Sequence, residues 1–115
     1  MQYTKNQLVN QRIDEVNQWI KQWLPSIQAV DRKGFRSTSY FLQQGMEHER
    51  VYIICYDQKA NLGFSQGVHL SKVFLFLEGK GKTHRHIDIM AAQLENTPLM
   101  KKLILAAFEV KEVSP

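Results

Sequence analysis

Two stripes of helical period bracket this chain and limit what can lie between them. Val9, Ile13, Val16, Ile20 and Trp23 recur at spacings of four, three, four and three, the rhythm of one apolar helix face. Leu8, Trp19 and Leu24 widen that face. Pro25 ends it, because the residue before a proline is pushed out of the α region. The spacing predicts a helix over about Lys5 to Leu24, with Asn10, Gln11, Asp14, Asn17 and Lys21 on its solvent side. Near the other end, Thr97 reads as an N-cap and Pro98 as the first helical residue. The helix they open sets Leu99, Leu103 and Ala107 beside Met100, Ile104 and Phe108 as a second core-facing stripe.

Between the stripes the period changes to two. Ser37 to Leu42 is rich in β-branched, aromatic and small polar residues. In Arg50 to Tyr56, Val51, Ile53 and Cys55 share one face while Tyr52, Ile54 and Tyr56 share the other. These two segments are expected to pair antiparallel around Gln44 to Glu49. A turn over Asp57 to Asn61 leads to a third short strand, Asn61 to Gln66, with Leu62 and Phe64 on one face. His84 to Met90 alternates as a fourth, with Ile87 and Ile89 opposite His86 and Asp88. Ser71 to Leu77 is almost wholly apolar, and its pattern fits either a strand or a short buried helix. Asp31 to Gly34 reads as loop. The expected fold class is therefore α+β, one domain over residues 1–115, an antiparallel sheet of about four to six strands with the N-terminal and C-terminal helices packed on it.

Composition narrows the class further. With 43% hydrophobic and 23% charged residues, the 115-residue chain can hold a core without staples. One cysteine, Cys55, excludes a disulfide scaffold and points to a cytoplasmic setting. No stretch approaches the roughly 18 apolar residues of a span. The polar side of the first helix is rich in amides rather than Lys and Arg, so no membrane partner is expected. The net charge of +4 suits a small anionic ligand or an acidic protein surface. No nucleic-acid motif accompanies it, so nucleic acid is not expected.

The segment Asn61 to Ile89, NLGFSQGVHLSKVFLFLEGKGKTHRHIDI, resembles the signature of the YdhG-like family, a bacterial domain of unknown function. The matching elements are Leu62, Gly63 and Phe64; Gly67; Leu77, Glu78 and Gly79; Gly81 and Lys82; and Arg85 and His86. The resemblance implies a sheet flanked by terminal helices. The family's Trp-Gly-x-Pro-x-Tyr stretch is replaced here by Lys33, Gly34, Phe35 and Arg36, with Ser39 and Tyr40 after them. Some members are described as frataxin-like iron chaperones, which implies an acidic iron surface. The first helix offers only Asp14 and Glu15 for that.

Gly79 to Thr83, GKGKT, fails as a phosphate-binding P-loop, since Phe76 stands where the first glycine is required and a strand follows instead of a helix. A looser anion site remains. Lys80, Lys82, His84, Arg85 and His86 cluster within seven residues, and Arg85 is its natural anchor, because a guanidinium grips an acid group with two parallel bonds. The site is expected where Gly63 to Gly67 meets Gly79 to His86, with Gly63, Phe64, Gly67, Lys80, Lys82, Arg85 and His86 as ligand-binding residues. The competing reading pairs Arg85 with an internal carboxylate such as Glu78. His84, His86 and Asp88 alternate on one strand face and form a weaker iron or zinc candidate, opposed by the nearby cations. Cys55 lacks a cationic neighbour in sequence and reads as a small buried hydrophobe. No nucleophile or base can be named. The expected function is thus a non-enzymatic binding module for a small anionic ligand or acidic partner, the alternative being a frataxin-like iron or zinc carrier.

Overall fold

The structure is a computed structural model and describes residues 3–110. Helix α1 (Gln7–Trp23) is followed by five strands, β1 (Gln28–Arg32), β2 (Ser37–Phe41), β3 (Val51–Cys55), β4 (Ala60–Phe64) and β5 (Arg85–Asp88). A one-turn helix α2 (Gly67–Leu70) lies between β4 and β5, and helix α3 (Thr97–Glu109) closes the order. The strands form one antiparallel sheet in the order β1-β2-β3-β4-β5. The fold is α+β, as the alternation of periods predicts.

Register divides the sheet into two unlike faces. Tyr40 pairs with Val51, Val51 with Phe64, Ile53 with Leu62 and Leu62 with Ile87, so these side chains point to one side. There they meet Val9, Ile13, Val16 and Ile20 of α1 and Met100, Leu103, Ile104 and Ala107 of α3 in one core cluster. Val51, Ile53, Leu62, Phe64 and Ile87 are each no more than 3% exposed. Burying a side chain of this size contributes about 1.5–3 kcal/mol, so this face carries the stability. The other face holds Ser37, Ser39, Tyr52, Ile54, Asn61, Gly63, His86 and Asp88 by the same register.

Several expectations change in the structure. The segment read as loop at Asp31 and Arg32 belongs to β1, an edge strand whose residues are nearly all exposed, so no buried alternation marked it. Asn10, placed on the solvent side of α1, is 3% exposed. Its Oδ1 accepts from the Tyr3 and Thr4 amides at 2.9 and 2.8 Å, and its Nδ2 donates to the Thr4 carbonyl at 3.0 Å. Leu8 is solvent-exposed instead. Asn96, not Thr97, caps α3, its Oδ1 accepting from the Leu99 amide at 3.1 Å. Ser71 to Leu77 is neither strand nor buried helix; it is a chain of turns in which Leu77 is buried while Val73 and Leu75 face outward.

Candidate functional site

The junction expected to hold the site does form, because β4 and β5 are neighbours and Phe64 pairs with Arg85. Its members are not all available to a ligand. Phe64 is completely buried and is a core residue, a correction that follows from its register on the helix-covered face. Gly63 lies under the Tyr52 ring, which occupies the space a Cβ would need. Gly67 lies against the Arg85 backbone, where a Cβ would come within 2.8 Å of the Arg85 nitrogen. Lys80 and Lys82 are exposed on the turn between Gly79 and His84.

Arg85 pairs with no internal carboxylate among the described residues. Its Nη1 donates to the carbonyls of Gly81 at 2.6 Å and His84 at 2.7 Å, so the guanidinium stitches its own turn together. Glu78, the expected internal partner, instead faces His86, with Nε2 and Oε2 3.8 Å apart, over a pair of backbone bonds of 2.8 Å each way. Gly79, at φ +130°, takes a backbone conformation that a residue with a Cβ rarely adopts.

The three metal candidates diverge. His84 Nδ1 meets the Tyr52 hydroxyl at 2.9 Å, His86 faces Glu78, and Asp88 Oδ1 accepts from the Met90 amide at 2.8 Å. Among the described residues no three His, Cys, Asp or Glu side chains gather to hold a metal ion. Cys55 is buried. Burial pushes its thiol up, and the opposing field of Arg36 does not reverse the shift, so the thiol is not activated.

A groove of about 290 Å³ opens on the sheet face away from the helices. Ser37 and Ser39 form a low floor beside Tyr52 and Ile54, with Arg32 and Phe35 along one wall and Met46, Glu49 and His84 along the rest. Small serines beside larger side chains are what make the surface concave. The Arg32 guanidinium lies 4.9 Å from the centre of the Phe35 ring, and its Nη1 points at the Met46 sulfur from 2.8 Å. No carboxylate pairs with it among the described residues, so it is positioned yet not neutralised. Burial, with help from Glu49 and Tyr56, pushes the Tyr52 hydroxyl up. Tyr52 therefore keeps its proton and can donate to His84 Nδ1, an arrangement in which the ring hydrogen sits on Nε2 and is left for another acceptor.

Only His84 links this groove to the basic turn. Arg32, Phe35, Ser37, Ser39, Met46 and Glu49 come from β1, β2 and the two loops beside them, and sequence spacing does not bring them together. The one available signal was Tyr52 and Ile54 standing on the strand face opposite the core stripe. No family model, curated protein or solved structure matches the chain, so fold and groove stand on the chain's own residues.

Proposed function

We propose that the chain is a non-enzymatic, cytoplasmic binding module for a small anionic ligand, seated in the groove on the uncovered sheet face. The observation that carries this reading is Arg32, a cation held by a ring and a sulfur at the wall of an apolar hollow. A carboxylate or phosphate could take its fork while an aromatic or branched apolar body rests on Tyr52, Ile54 and Phe35. The His84 imidazole adds a ring N–H donor on the same wall. Glu49 on the same rim favours a donor group on that side of the ligand.

Membership of the YdhG-like family is part of the proposal, supported by the Leu62 to His86 motif. In this chain the motif's glycines answer to packing. Gly63 admits the Tyr52 ring, Gly67 admits the Arg85 backbone and Gly79 makes the turn. The motif is then a signature of how β4 meets β5, and the ligand chemistry lies beside it.

Amide chemical-shift mapping with benzoate and phenyl phosphate tests the reading. Shifts should gather at Ser37, Ser39, Tyr52 and Ile54, and Arg32→Ala should abolish them with the melting temperature unchanged. Shifts confined to Lys80, Lys82 and Arg85, or surviving in Arg32→Ala, would return the site to the basic turn.

A further inference from the structure

Val73 and Leu75 are 75% and 82% exposed, the two most exposed large apolar side chains of the described residues. They sit two residues apart on a segment that is firmly built. The Val73 and Phe74 amides donate to the Leu70 carbonyl at 3.1 and 2.8 Å, the Leu77 amide donates to Phe74 at 3.2 Å, and the Ser71 hydroxyl donates to Val68 at 2.9 Å. Leu70 and Leu77 anchor the segment in the core, while Phe74 and Phe76, 6.2 Å apart edge to face, are half-buried against it. The result is a preorganised convex knob, with aliphatic side chains outermost and aromatic rings beneath them.

A convex knob is unsuited to enclosing a small molecule. Its surroundings select among larger occupants. Lys72 adjoins the tip, and Lys80 and Lys82 are exposed on the next turn. Glu78 is the only acidic residue from Gly67 to His86, against Lys72, Lys80, Lys82 and Arg85. A second copy would bring the same positive charge against itself, whereas an anionic lipid surface complements it. Aliphatic tip, aromatic layer and basic flank also follow the order in which a bilayer passes from acyl chain to interface to headgroup.

We infer that the Ser71 to Leu77 knob docks the protein reversibly onto anionic membrane surfaces, with Val73 and Leu75 entering the interface and Lys72, Lys80 and Lys82 meeting headgroups. This departs from the expectation of no membrane partner, which rested on spans and on the first helix. Among the described residues no helix is long and apolar enough to cross a membrane, and docking of this kind needs none. The inference is independent of the groove.

The test is co-sedimentation of the full chain with vesicles of phosphatidylcholine containing about 30% phosphatidylserine, a composition resembling an anionic leaflet, beside vesicles of phosphatidylcholine alone. The protein should pellet with the anionic vesicles and release as salt is raised. The double variant Val73→Asp, Leu75→Asp should lose at least about tenfold in binding with an unchanged melting temperature, because neither side chain supports the core. Leu75→Trp should shift its emission to the blue on the anionic vesicles. A wild-type chain that stays in the supernatant, or a double variant that pellets as well as wild type, overturns the inference. So does a concentration-dependent dimer that the double variant dissolves, which would assign the knob to self-association.

Discussion

The two faces of the sheet are built from the same five strands, yet they solve different problems. On the helix-covered face, Val51, Ile53, Leu62, Phe64 and Ile87 interlock with α1 and α3 and leave almost no surface to water. On the bare face, two serines and a glycine alternate with Tyr52 and Ile54, and Arg32 and His84 stand at the edges of a hollow. The lesson is a division of labour. One face can spend its side chains on shape and charge because the other supplies the free energy of folding.

The sharpest way to break that comparison is to place a charge on the covered face. Ile20 is completely buried, and Ile20→Asp should cost about 4 kcal/mol or more, a large share of a typical domain's stability. Loss of the cooperative transition in calorimetry is the expected result, and an unchanged transition would mean α1 is not needed for the core. A smaller effect tests the boundary between the faces. Gly63→Ala should cost about 2 kcal/mol, because a Cβ there meets the Tyr52 ring and the ring must leave. Gly34→Ala, where nothing lies within 4 Å, is the control that should melt as wild type.

The smallest effect sharpens the comparison through pH. Burial, then Tyr3 and Asp31, pushes the Tyr40 hydroxyl well up, and its hydrogen donates to Asn17 Oδ1 at 2.7 Å. Burial pushes Tyr52 up as well. A hydroxyl with a raised value keeps its proton in the folded state after the unfolded chain has released it. Stability is therefore full below the ordinary tyrosine value near 10 and falls as pH climbs from there toward the raised values. Tyr40→Phe should cost about 1 kcal/mol at neutral pH and make the alkaline decline shallower. Urea midpoints measured at pH 8 and above 10 would check both, and an equally steep decline in Tyr40→Phe would remove Tyr40 from the account.

How much of this was legible follows from what each signal reports. Periodicity reports burial, so α1, α3, β2 to β5 and the split of Val51, Ile53 and Cys55 from Tyr52 and Ile54 could all be read. β1 could not, because an edge strand with nearly every residue exposed carries no alternation. Asn10 was unreadable for the opposite reason, since an amide on a helix gives no hint that it will bind the segment before that helix. Arg85 shows the limit of reasoning from charge. Its pattern asked for an acidic partner, and nothing in the pattern showed that Nη1 would also hold the Gly81 and His84 carbonyls of its own turn. The groove lay outside sequence reasoning because its walls come from segments joined only by the register of β1, β2 and β3.

The Asn10 clamp has a consequence for the order in which the molecule opens. Residues ahead of a first helix usually exchange their amide hydrogens with little protection, since nothing holds them. Here the Tyr3 and Thr4 amides are locked by a buried side chain from the second turn of α1, and the Lys5 amide donates to the Asp57 carbonyl in the turn between β3 and β4 at 2.9 Å. The segment from Tyr3 to Lys5 is thereby coupled to the middle of the sheet. Exchange at Thr4 becomes a clock for departure of the whole first helix, not a measure of local fraying.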